Sequence, residues 1–118
     1  MGSEMCIRDR ARRAAAAGVS EVWIDPGFGF GKTSAHNWAL LAALPEFVAA
    51  GWPVAIGTSR KAFLGTILGR ADGTGAVPAQ DRLDGSVATV AHAGACGVGM
   101  VRVHDVAATV GALRAVAA

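Results

Sequence analysis

The chain has 118 residues, 53% of them hydrophobic and 17% charged, with a formal net charge of +2. That length holds one domain at most, the composition excludes a disordered chain, and scattered arginines at so low a charge exclude a nucleic-acid partner. No stretch reaches the ~18 uninterrupted apolar residues of a membrane helix, so no membrane partner is expected. Residues 1–10, MGSEMCIRDR, carry charge but lack the apolar core of a signal peptide. They fit poorly with the rest of the chain and read as an unmatched N-terminal segment, either an expression scar or a wrongly joined gene end. A single domain is expected over residues 11–118.

Residues 11–17 are alanine-rich and run into Gly18, which predicts the tail of a helix with a glycine stop. Residues 21–24 are the first strand. Asp25-Pro26-Gly27-Phe28-Gly29-Phe30-Gly31-Lys32-Thr33 comes directly after it. Pro26 stands where a P-loop needs glycine, and no choice of first glycine completes a dinucleotide fingerprint. This glycine-rich loop belongs to another class, or is an ordinary strand-to-helix turn.

Residues 34–50 are helical by the spacing of Leu40, Leu41, Leu44, Phe47 and Val48, with Pro45 kinking or restarting the helix. Residues 53–56 are the second strand. Gly57-Thr58-Ser59 turns into a helix over 60–68 that Ser59 is placed to cap. Residues 69–79 are a loop rich in Gly, Asp and Pro. Residues 81–96 are helical with an interruption near Gly85, residues 99–103 are the third strand, and residues 105–116 close the chain as a helix.

Cys6 and Cys96 lie far apart and form no metal or redox spacing. Cys96 reads as a small apolar residue on a buried helix. Without a disulfide framework, a reducing cytoplasmic location is expected.

Three apolar strands alternating with helices imply an α/β fold with a parallel sheet covered on both faces. Polar residues gather where strands stop: Asp25 after the first, Ser59, Arg60 and Lys61 after the second, Arg102 and His104 at the end of the third. Arg102 and His104 are two apart and point the same way. In a (β/α)₈ TIM barrel this rim carries the active site, with phosphate bound near the last strands. Three parallel strand-helix units make an incomplete barrel, since a whole one takes roughly 250 residues.

The loop from Asp25 to Lys32 resembles the sixth-strand motif of the dihydropteroate synthases. Ile56-Gly57-Thr58-Ser59-Arg60-Lys61 resembles their seventh-strand motif, and Asp84-Gly85-Ser86-Val87-Ala88-Thr89 the helix before the last strand. Val101-Arg102-Val103-His104-Asp105-Val106 is similar to their eighth-strand motif. Order and spacing agree from about Ala11 onward. The resemblance implies the C-terminal portion of a pterin-binding barrel.

That family joins 4-aminobenzoate to 7,8-dihydropterin-6-ylmethyl diphosphate, giving dihydropteroate and pyrophosphate for folate synthesis. The resemblance implies that Asp25, Gly57, Lys61 and Arg102 bind the pterin and that Phe30, Ser59 and Lys61 bind the aminobenzoate. It implies that Arg102 and His104 hold the diphosphate, with Lys61 and Arg102 as the catalytic residues. It also implies Mg²⁺ in the full-length family, with the ligand absent from this chain, and a homodimer packed through the last helices.

Structural alternatives stand beside these roles. Lys61 reads otherwise as a solvated first-turn lysine, Arg102 as an ion-pair partner of Asp25 or Asp105, and His104 as a strand-end cap. Lys32 reads as a brace for its loop. His36 and His92 read as helix-face residues, and Trp23, Trp38 and Trp52 as packing. Arg70, Asp72, Asp81, Arg82 and Asp84 read as a solvated charged surface. The family's first five strands have no counterpart here, so this fragment alone is expected to be inactive. The rival functions are a pterin-binding methyltransferase-like module and an inactive truncated relic.

Overall fold

The computed structural model describes residues 2–73 and 75–117. Among these residues six helices accompany a small parallel sheet: α1 (Gly2–Ala16), α2 (Ser34–Ala42), α3 (Leu44–Ala49), α4 (Ala62–Asp72), α5 (Leu83–Cys96) and α6 (Val106–Ala117). The strands are β1 (Ala55–Ile56) and β2 (Met100–Val101), and a 3₁₀ turn spans Ala79–Asp81. The fold is α/β, more helical than the sequence predicts.

The strands shorten for a physical reason. The middle segment bonds on both sides: Ala55 N–H reaches Ile24 O at 2.9 Å, and Arg102 N–H reaches Ile56 O at 2.9 Å. β1 and β2 run parallel with Ala55 opposite Met100. The first predicted strand is reduced to one parallel bridge, Ile24 to Val54. Neither Ile24 nor β2 has a further neighbour among the described residues, so a continuous ladder forms only at the centre.

Helix boundaries follow local chemistry. α1 ends before Gly18, whose φ of +101° suits glycine alone. The helix begins at Gly2, so the opening residues and the alanine-rich run form one element, and Ile7 packs against the core. Thr33 caps α2 through His36 N–H at 3.2 Å. Pro45 sits in the first turn of α3, so it restarts the helix after Ala43 instead of kinking it.

Two expectations need correction. Ser59 does not cap α4; Lys61 occupies the cap position and makes no side-chain cap bond. Gly85 does not interrupt α5. A Cβ there would stand 3.3 Å from Leu64, so its small size lets α5 lie close on α4.

The core is built from Phe28, Leu44, Phe47, Val54, Ile56, Leu64 and Val90, all at most 2% exposed. Phe28 stacks with Phe63 at 6.2 Å, and Trp38 meets Phe63 edge-on at 4.9 Å. Phe28 ties the glycine-rich loop into this core.

Candidate functional site

Three segments emerge side by side from the sheet, because Ile24, β1 and β2 are adjacent and parallel. Each passes at once into a loop carrying polar side chains. Gly57, Ser59, Lys61, Arg102, His104 and Phe30 line one cleft of about 300 Å³. Asp25 adjoins it through Arg102, whose Nη1 lies 2.8 Å from Asp25 Oδ2. Of the two ion-pair partners open to Arg102, Asp25 is the one it takes.

Asp25 is fixed from both ends. Its Oδ1 accepts the Gly27 N–H at 2.8 Å while Oδ2 faces the guanidinium. Lys61 Nζ donates to the carbonyl of Phe28 and stands 4.8 Å from the centre of the Phe30 ring. Phe30 is 71% exposed, so its ring hangs over the cleft and not in the core. A second hollow of about 270 Å³ lies beyond, lined by Gly29, Phe30, Lys32, Asn37, Lys61 and Phe63. Lys61 and Phe30 therefore divide two adjoining hollows.

The electrostatics favour anions. Partial burial pushes the Lys61 ammonium below the ordinary lysine value, and the positive charges of Arg102 and Lys32 push the same way against Asp25. Arg60 and Asp105 form a forked pair outside the cleft, at 2.8 and 3.2 Å. The hydrogen bond from Arg60, with its charge, holds the Asp105 carboxyl below its usual range.

The β1–α4 turn is strained and braced. Arg60 has φ +56°, the left-handed region that non-glycine residues rarely adopt. Its N–H donates to Ser86 Oγ at 2.9 Å, and its carbonyl accepts from Arg82 Nη1 at 2.7 Å. Thr58 and Thr89 hydroxyls meet beneath it at 2.7 Å. Arg82 is thus no solvated surface charge: it spans Arg60 O and Val77 O from a half-buried position. Lys32 does brace its loop, through Phe30 O at 3.3 Å. His92 Nε2 contacts Leu41 O at 3.1 Å, a helix-to-helix link away from the cleft.

Sequence reasoning missed Asn37. Its Oδ1 accepts the Gly29 N–H at 2.8 Å, and the residue is 3% exposed. The signal was present: Asn37 stands three and four residues before Leu40 and Leu41, a polar residue on the apolar face of α2. Its task is to pin the glycine-rich loop to that helix.

Among the described residues no three of His, Cys, Asp or Glu gather to hold a metal ion. The Mg²⁺ that the family resemblance implies finds no such group among these residues. No helix among the described residues is long and apolar enough to cross a membrane.

Residues 3–104 match the family described as pterin binding enzyme. That range begins within the opening segment set apart by its sequence. The chain is 51% identical over 109 residues to the dihydropteroate synthase of Mycobacterium leprae, covering 90% of this chain and 38% of the relative. It is 45% identical over 101 residues to the inactive dihydropteroate synthase 2 of the same organism, covering 84% of this chain and 32% of the relative. The solved dihydropteroate synthase of Thermus thermophilus in complex with 4-aminobenzoate superimposes with a TM-score of 0.87 at 43% identity. That match takes in 98% of this chain and 43% of the solved one. The chain therefore spans about a third to two fifths of the length of these curated relatives.

Proposed function

The chain belongs to the pterin-binding enzyme family, and from that premise we propose that it supplies the C-terminal part of a dihydropteroate synthase site. Its Ile24, β1 and β2 segments then stand as the last three strands of a (β/α)₈ barrel. The observation that carries the reading is the meeting of Lys61 and Arg102 on one cleft, with Asp25 adjoining it 2.8 Å from Arg102.

The reaction needs little covalent help from the protein. The aminobenzoate nitrogen forms a bond to the pterin methylene carbon while the carbon–oxygen bond to diphosphate breaks. The nitrogen loses a proton, and the electron pair leaves with the diphosphate. The chain's part is positioning and charge stabilisation. Asp25 uses two of its lone pairs on Gly27 and Arg102, leaving others for the amino and ring N–H donors of a pterin. Gly57 has no side chain, so the Arg102 guanidinium packs over its backbone beside that ring. Arg102 and His104 face the diphosphate, where a planar fork suits phosphate oxygens. Lys61 lies between the pterin and the aminobenzoate, with Phe30 over the latter ring and Ser59 near its carboxylate. Val106 and Val110 on α6, 61% and 39% exposed, support self-association through that helix.

One test separates binding from turnover. The dihydropterin diphosphate is titrated by calorimetry into the chain joined in frame behind the first five strand-helix units of a family relative, then 4-aminobenzoate is added and pyrophosphate release followed. Micromolar-range binding that Asp25→Ala abolishes supports the reading; no binding at millimolar ligand removes it. Release that requires 4-aminobenzoate excludes a methyltransferase-like module, whose methyl donor has no diphosphate to lose. The inactive relative supports a second reading, a chain that keeps the fold without turnover. Binding without release at any 4-aminobenzoate concentration selects it.

A further inference from the structure

Ser59 has a task that the binding roles leave out. The geometry points to Ser59 as the positioning residue that decides which ring nitrogen of His104 carries the proton. The inference rests on the reading of the cleft as an anion site, and it deepens the part His104 plays there.

Ser59 Oγ lies 2.7 Å from His104 Nδ1, and it also accepts the backbone N–H of His104 at 3.1 Å. The residue is 6% exposed. A hydroxyl has one proton and two lone pairs, and a neutral imidazole has one N–H. The amide of His104 already fills one lone pair of Oγ. Two arrangements remain. In the first, the Ser59 hydroxyl donates to Nδ1, and His104 carries its proton on Nε2. In the second, Nδ1–H donates to Oγ, and the hydroxyl proton is left over.

Among the described residues, both hydrogen-bond partners of this hydroxyl are on His104. The second arrangement leaves that proton without a partner among the described residues, facing only the open cleft, whereas the first pairs it. The first satisfies every group. The neutral imidazole of His104 is therefore the Nε2–H tautomer, with Nδ1 committed to Ser59. The ring lines the cleft beside Arg102 and Lys61, so the proton on Nε2 is the one available to a bound anion. This hydrogen bond does not require the imidazole to be charged. It gives the site a second donor beside the permanent charge of Arg102.

The contact also ties two loops together. Ser59 leaves β1 and His104 leaves β2, and the pair is 45 residues apart in sequence. Setting the tautomer and holding the β2–α6 loop against the β1–α4 turn are one interaction.

The tautomer is read directly by long-range ¹H–¹⁵N correlation on the full chain labelled at its three histidines, kept cold at mildly alkaline pH. His104→Gln identifies the resonance. The expected spectrum shows Nε2 protonated and Nδ1 bare for His104, a mixture of tautomers in Ser59→Ala, and recovery in Ser59→Thr. A proton on Nδ1 in the unsubstituted chain overturns the proposal, and that measurement needs no variant to fold. A tautomer unchanged by Ser59→Ala overturns it too.

Inorganic pyrophosphate affinity adds a second readout. Ser59→Ala weakens it by roughly three- to tenfold when His104 is present, as expected for one misdirected donor. Combined with His104→Gln, which keeps an N–H donor without needing Ser59, the further loss disappears. Equal losses in both backgrounds make Ser59 a direct ligand and end the proposal. If pyrophosphate does not bind while the tautomer is as expected, the anion site falls and the positioning role of Ser59 stands.

Discussion

Arg102 lies so close over Gly57 that a Cβ built there would stand 2.8 Å from Arg102 Nη2. The backbone of β1 and the guanidinium from β2 thus share one space, and only a glycine leaves room for both. The Gly57→Ala chain has an easy escape, because the crowded atoms end a flexible, exposed side chain. Folding should change by about 1 kcal/mol or less, the scale of an exposed ion pair. The cost falls on the position of Arg102 and on its 2.8 Å pair with Asp25. Pyrophosphate affinity is expected to drop ~10- to 100-fold, the worth of one charge-assisted contact. Calorimetry beside circular dichroism checks this; a lost helix signal with unchanged binding per folded chain would refute it.

Asp25→Asn tests the charge of the site apart from its shape. The amide keeps an oxygen for the Gly27 N–H and loses the attraction to Arg102. It also turns an acceptor into a donor toward the pterin. We expect pterin affinity to fall at least ~100-fold, since a donor then faces donors. Pyrophosphate affinity should hold or rise, because Arg102 loses its internal counter-charge. A parallel loss of both ligands would instead mean that the loop itself had collapsed.

The rim of the sheet was legible in the sequence because strand periodicity is local. Asp25, Ser59, Lys61, Arg102 and His104 each follow an apolar run, and adjacent parallel runs bring their ends together. The lengths of those runs were not legible. Residues 21–24 have strand composition, yet only Ile24 pairs, since ladder bonds depend on a neighbour that composition cannot supply. The Ser59 partner was misread for a related reason. A hydroxyl before a helix reads as a cap, and the competing imidazole lies 45 residues away. Arg82 was lost among loop charges because its acceptors are backbone carbonyls at Arg60 and Val77, which no side-chain pattern marks.

Arg82 carries a prediction of its own. It donates to Arg60 O at 2.7 Å and so holds a residue whose φ is +56°. A left-handed arginine persists only while its surroundings enforce it. Arg82→Ala should release this turn at a cost of about 1.5–3 kcal/mol, the range for bonds from a charged donor. Arg82→Lys should fail to restore it, because one ammonium does not reproduce two donors aimed at two carbonyls. Hydrogen exchange at the Arg60 amide is the probe. Full protection in the lysine chain would show that charge alone suffices.

The alkaline limb of anion binding reports on Lys61. Its folded-state pKa lies below the ordinary 10.5, first through burial and then through Arg102. Folded chains thus hold fewer protons than unfolded ones between that lowered value and 10.5, so stability rises with pH across this window. Binding runs the other way, because a neutral amine attracts no anion. Pyrophosphate affinity should therefore decline at a pH below that of a free lysine, and Lys61→Arg should flatten the decline. A midpoint at or above 10.5 in the unsubstituted chain would place Lys61 outside the site.

The open edges of the sheet predict how these 118 residues behave as a separate polypeptide. The radius of gyration is 15.1 Å, against about 13.5 Å for a compact domain of this size. The accessible surface is 6785 Å², against about 5,900 Å² for a folded protein of this mass. Exposed Met100, at 49%, lies on β2 where no further strand pairs among the described residues. Such a chain buries too little apolar area for a sharp transition. We expect a broad melt centred below ~45 °C, under the usual mesophilic range, and no detectable dihydropteroate. Joining it in frame behind the first five strand-helix units of a family relative should sharpen and raise the melt and yield product. A cooperative, high-temperature melt of the separate polypeptide, with turnover, would show instead that three strand ends make a complete site.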